Sequence, residues 1–170
     1  MFNKFLKRLF SSRASVIDRL CIAAKDGLSS QVSSILSSSV NVDEWDSNGI
    51  PALVYAAHNG RIEIVNMLIA AGATINIKDC YGDTPLISAA GNGHQDLVVL
   101  LLKKGANIEE TNNDGLTALG NAAIGGQHKM CEILEAKVAV KSSEVGLEAS
   151  EMLRFNDAFS KWEENRYGKK

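Results

Sequence analysis

The chain repeats itself every 33 residues, and that single fact restricts the folds open to it more than any other. The stretch DSNGIPALVYAAHNGRIEIVNMLIAAGATIN from Asp46 overlies DCYGDTPLISAAGNGHQDLVVLLLKKGANIE from Asp79, and a further shift reaches NNDGLTALGNAAIGGQHKMCEIL from Asn112. Gly49, Gly82 and Gly115 coincide, as do Leu53, Leu86 and Leu119, the pairs Ala56-Ala57, Ala89-Ala90 and Ala122-Ala123, and Gly60, Gly93 and Gly126. A more degenerate copy precedes them, with Leu20, Ala23-Ala24, Gly27, Val32 and Ile35-Leu36 in the same register. A unit this short cannot enclose its own apolar face. It must stack on its neighbours, so a fixed period of this length predicts a solenoid.

The recurring slots have direct physical readings. In the copy that begins at Asp79, residues 79–82 form a turn, Thr84 is placed to cap a helix, and Pro85 suits the first helical turn, where a missing N–H costs nothing. Leu86, Ala89 and Ala90 then share one face, and the paired alanines let a neighbouring helix approach closely. Gly93 ends the short helix in a left-handed conformation that a Cβ would penalise. A second helix follows with Leu97, Val98, Leu101 and Leu102 as its apolar stripe, Lys103 and Lys104 in its last turn, and Gly105 as its stop. Each copy is therefore turn, helix, reversal, helix.

The set Gly82, Thr84-Pro85-Leu86, Ala89-Ala90, Gly93-His94, Val98, Leu101-Leu102 and Gly105-Ala106 resembles the ankyrin repeat, over about residues 13 to 140. The resemblance implies an all-α ankyrin-repeat solenoid of about four helix-turn-helix repeats, near 13–45, 46–78, 79–111 and 112–140. It also implies projecting hairpin loops and a concave face that usually binds another protein. Two departures stand out. The His that follows Thr-Pro-Leu in the family is replaced by Val54, Ile87 and Gly120, so the usual Thr–His hydrogen bonding is absent. Glu135 and Val138 occupy slots for an apolar residue and the closing Gly, which predicts that the regular array ends there.

Other chemistry can be set against this scaffold. The run Gly91-Asn92-Gly93-His94 superficially suggests a phosphate loop with an adjacent base, but no lysine and hydroxyl follow the glycines and no strand precedes them. His94 stands where the resembled family carries a helix-initiating His. His58 and His128 have no metal-ligand spacing, and neither a metal nor a cofactor is expected. Cys21, Cys80 and Cys131 contain no CxxC and read as reduced thiols of an intracellular, cytoplasmic protein. Cys21 and Cys131 fall in aliphatic slots and are expected to be buried, whereas Cys80 falls at a hairpin tip. A formal charge of −2, from 18 basic against 20 acidic residues, gives no global case for nucleic acid.

The ends depart from the period. Residues 1–12 set Phe2, Phe5, Leu6, Leu9 and Phe10 on one helical face and Lys4, Lys7 and Arg8 largely elsewhere. With Arg13 they suit an anionic membrane surface, an organelle-targeting peptide, or a helix closing the first repeat. Residues 141–170 hold a second amphipathic helix, with Val145, Ala149, Met152, Phe155 or Asn156, Phe159 and Trp162 recurring every three or four residues. It can cap the last repeat or insert into a partner's groove.

The reading that results is a non-catalytic binding module, an adaptor or inhibitor acting on a protein partner. The alternative is a tether recruited to an anionic membrane by residues 1–13. No small-molecule substrate is expected, because no acid, base and nucleophile arrangement recurs. In the resembled family contacts come from hairpin tips and the exposed side of each first helix. Those slots here hold Trp45, Asn48, Ile50, His58, Asn59, Lys78, Tyr81, Asp83, Asn92, Asn113 and Leu116. The aromatic Trp45 and Tyr81 are the expected anchors of a partner.

Overall fold

A computed structural model describes residues 16–145 of the chain, with side chains through Val138. The described residues form helices in pairs: α1 (16–26) with α2 (Ser29–Leu36), α3 (Ala52–His58) with α4 (Ile62–Ala70), α5 (Pro85–Gly91) with α6 (Gln95–Lys103), and α7 (Ala118–Ile124) with α8 (His128–Val145). The first helices α3, α5 and α7 pack in a row, α4, α6 and α8 back α3, α5 and α7, and α2 lies against α4. No regular strand occurs among the described residues. An isolated antiparallel bridge from Trp45 to Pro51 marks the first hairpin.

Helix starts follow the residues that flank them. Thr84 and Thr117 accept hydrogen bonds on their hydroxyls from the N–H groups of Ile87 and Gly120, each at 3.3 Å, satisfying donors that the first turn leaves open. Pro85 occupies the first helical position of α5. In α3 the capping slot is filled by Pro51, which offers no side-chain acceptor.

The reversals close on the backbone carbonyls of the paired alanines. Gly60 N–H donates to Ala57 O and Arg61 N–H to Ala56 O; Gly93 and His94 repeat the pattern on Ala90 and Ala89, and Gly126 and Gln127 on Ala123 and Ala122. The carbonyls left open at the helix end are thereby used. Gly60 and Gly93 adopt φ of 66° and 75°, the left-handed region that a Cβ disfavours. A second constraint, not apparent from one copy alone, adds to the first. A Cβ on Gly60 would lie 2.7 Å from Nδ1 of His94 in the next repeat, and one on Gly93 would meet the Gln127 amide. Each glycine is thus also the seat of a side chain from its neighbour.

One apolar cluster runs the length of the stack from Ile17 to Leu134. Leu53, Val65, Leu68, Leu86, Val98 and Leu101 are enclosed, each contributing roughly 1.5–3 kcal/mol by leaving water. Leu102, assigned to the same stripe, is half-buried.

Two features of the last repeat differ from expectation. Cys131, expected to be buried, is half-buried, although Val32, Val65 and Val98 in the same slot are enclosed. Among the described residues no further unit packs beyond α8. The array does lack a closing turn after Glu135, because α8 runs unbroken through Val138 to Val145 and across the division drawn at 140. The amphipathic segment 1–12, and the terminal helix expected beyond Val145, lie outside the described residues.

Candidate partner-binding face

Each hairpin is built around one acceptor side chain. Asp46 accepts from the N–H groups of Asn48 and Ile50, both at 2.9 Å, and Asp79 from those of Tyr81 and Asp83, both at 2.9 Å. Asn112 does the same for Asp114 and Leu116 with its amide oxygen. These turns close through their own backbone, Asp79 N–H to Asp83 O and Gly82 N–H to Asp79 O, and are tied to one another as Cys80 N–H to Gly49 O and Asn113 N–H to Tyr81 O. The tips therefore form one platform rather than separate loops.

Between that platform and the first helices lies a depression of about 260 Å³, lined by Lys25, Ile50, Val54, Tyr55, His58, Asn59, Asp79, Tyr81, Asp83 and Ser88. Its floor is apolar where the enclosed Val54 sits, and two phenol side chains contribute to its walls. The Tyr55 hydroxyl donates to Asp46 at 3.1 Å, which orients that ring. Burial together with the Asp46 carboxylate raises the Tyr55 phenol above its ordinary range, so it stays a neutral donor. Tyr81 is the most open large hydrophobic side chain among the described residues, at 65% exposure.

Asp83 occupies the carboxylate end. Burial lifts its carboxyl above the usual range; the Asn112 amide, which donates to it at 2.9 Å, and His58 oppose this, while the Asp79 and Asp114 charges reinforce it. At Asp46 the balance reverses. Burial there is outweighed by the hydrogen bonds from Ile50, Asn48 and Tyr55, which hold the carboxyl below its usual range.

Of the eleven residues proposed from sequence, Ile50, His58, Asn59, Tyr81 and Asp83 meet around this depression. Asn92 adjoins it, with its amide 3.2 Å from His58 Nδ1. The others are placed elsewhere. Lys78 is occupied by Glu110 and Thr111 O, each at 2.9 Å, and Asn113 donates to Cys80 O. Asn48 folds back onto Asp46, Leu116 is half-buried, and Trp45 stands on the first hairpin at 54% exposure. Lys25, Val54, Tyr55, Asp79 and Ser88 join the lining without having been proposed from sequence as contact residues. A signal for two of them exists: Ile22, Tyr55, Ser88 and Asn121 share one slot of the period, and it differs in every copy while adjacent slots stay apolar. In the last repeat that slot is spent on packing, since Asn121 donates to Ile87 O at 3.1 Å.

His94 supports the stack rather than a reaction. Its Nε2 lies 2.9 Å from His58 O, and its ring covers Gly60. Among the cysteines, burial with help from the Asp46 and Asp18 charges pushes the Cys21 thiol up to about 12, which leaves it a protonated core residue. Cys80 is exposed at the second hairpin tip, and no disulfide joins the three. Among the described residues no group of three or more His, Cys, Asp or Glu side chains could hold a metal ion. No helix there is long and apolar enough to cross a membrane.

Stacked helix pairs with a hydrogen-bonded hairpin platform define an all-α repeat solenoid. A family model described as ankyrin repeats (3 copies) matches residues 20–112 and, in a second overlapping match, 71–144, so the chain belongs to the ankyrin-repeat family. Comparison with curated proteins gives no match. Ankyrin repeats generally mediate protein–protein interaction and are typically non-catalytic.

Proposed function

We propose that this chain is a non-catalytic adaptor or inhibitor that holds a protein partner in the depression between its hairpin platform and the first helices. The observation that carries the reading is Tyr81. It stands 65% exposed and lines a depression of about 260 Å³. Aromatic side chains contribute most to binding when a partner desolvates them. The platform is already ordered by its own hydrogen bonds, so association immobilises few residues and more of the contact energy is expressed as affinity. Three thiols with no disulfide suit an intracellular, cytoplasmic setting.

The test compares capture of partners from a lysate by the wild-type chain, Tyr81→Ala and Trp45→Ala, with titration of any protein recovered. Tyr81→Ala should weaken binding by about 2 kcal/mol, and helical circular dichroism and melting should hold. Trp45→Ala, on the same platform but outside the depression, should weaken a large partner and leave a short peptide unaffected. A partner indifferent to Tyr81→Ala would move the binding surface off this face.

A further inference from the structure

The depression carries an electrostatic bias that narrows what can enter it. Asp79 and Asp83 both line it, Asp79 only 7% exposed and Asp83 half-buried. Among the described residues neither carboxylate forms an ion pair with lysine or arginine. Asp79 directs one oxygen to two backbone N–H groups, and Asp83 receives one Asn112 amide. Asp114 adds a third negative charge close to Asp83. The cation of the lining is Lys25, on α1, two repeats away from the hairpin that carries Asp83. Tyr55 and Tyr81 supply aromatic surface in the same space.

We propose that the depression accepts a basic side chain, arginine above all, from an extended segment of the partner, with Asp83 as its carboxylate and Tyr81 as its aromatic neighbour. This rests on the proposed partner-binding role of the same face. A guanidinium suits the site on two counts. It offers several donors to a carboxylate whose hydrogen bonding is incomplete, and its flat face is attracted to aromatic rings. An ammonium lacks the planar fork, so lysine should follow arginine. An acidic side chain would face three carboxylates and be rejected. Lys25, on α1 in the first repeat, disfavours a second cation beside it, which favours the hairpin that carries Asp83. The raised carboxyl of Asp83 is consistent with this: burial and the neighbouring Asp79 and Asp114 charges disfavour its charged form, and a cation would relieve both effects.

The probe is the blocked peptide Ac-Gly-Ala-Arg-Ala-Gly-NH2, compared with the same peptide carrying citrulline, lysine or glutamate in place of arginine. Binding is followed by the amide ¹H and ¹⁵N shifts of the full chain. The arginine peptide should move the amides of Tyr55, Gly82, Asp83 and Ser88 saturably, and citrulline, which keeps the shape but loses the charge, should bind about tenfold more weakly. Asp83→Asn retains an acceptor for Asn112 and removes the charge; it should weaken arginine binding by about fivefold or more while the melting temperature holds or rises. Lys25→Ala, which removes a like charge from the lining, should strengthen arginine binding.

If citrulline binds as well as arginine at these amides, or if Asp83→Asn binds undiminished, the charge selectivity is wrong and the partner-binding face stands. If the arginine peptide shifts amides only on other surfaces, the assignment of a basic side chain to this depression is overturned. The role of the face in holding a partner is judged separately, by Tyr81→Ala on the captured protein.

Discussion

At the scale of single residues, the helix-ending glycines are held by two demands that can be measured apart. Gly60 and Gly126 have almost the same φ, 66° and 69°, but a Cβ on Gly60 would lie against the His94 ring, while one on Gly126 would meet nothing within 4 Å. Gly126→Ala should therefore cost only the left-handed backbone strain, about 1–2 kcal/mol. Gly60→Ala should cost the same and, in addition, displace a ring anchored by its contact with His58 O. Chemical denaturation of the two variants gives the ring term by difference, and equal losses would show that His94 yields freely. The backbone half of this was legible in one copy of the repeat, because a glycine directly after a short apolar helix marks the left-handed residue that closes it. The contact half was not, since it joins residues 34 positions apart and appears only when adjacent repeats are in place.

At the scale of elements, the hairpins show how the same turn can be made with or without charge. Asp46 is held below its usual carboxylate range, so its contribution to folding is present above the unfolded value near 3.8 and disappears as pH falls through the lower folded value. Asn112 serves the third hairpin with an amide oxygen, which does not titrate. Asp46→Asn should accordingly lose stability relative to wild type near neutral pH, where the carboxylate's stronger hydrogen bonds count, and draw level in acid. Urea titrations at both pH values check this, and a gap that widens in acid would refute it. The elements themselves were readable: Thr84, Pro85 and Leu86 announce α5, and the apolar spacing from Leu97 announces α6. The end of α8 was harder. Glu135 and Val138 correctly suggested that the closing turn is missing, but a lost stop signal does not say how far a helix continues. The depression was harder still, because alignment by period shows which slots are equivalent and not which slots face one another across three repeats. Lys25 and Ser88 belong to different copies from Ile50 and Tyr55, and only stacking brings all four to one rim.

At the scale of the whole molecule, stability is a sum of units and the contacts between them, so it should be greatest where a unit has neighbours on both sides. Hydrogen exchange should be slowest in α3 to α6, at amides such as those of Val65, Leu86 and Val98, and faster in α2 and α8. Faster exchange in the centre than in α2 would contradict nearest-neighbour coupling. The same logic extends to changes of chain length. Arg61 rests beside Gly27, His94 on Gly60 and Gln127 on Gly93, one contact per step of the period. Loss or gain of a single residue inside one of these spans would shift that side chain past its glycine seat and pull apart the hairpin-to-hairpin bond that crosses the same span, such as Cys80 N–H to Gly49 O. An insertion of a complete copy, such as residues 79–111, would restore both. Length variation in this part of the chain is therefore quantised: a coding change that survives folding should add or remove whole repeats, and small insertions should be confined to the sequence outside the stack.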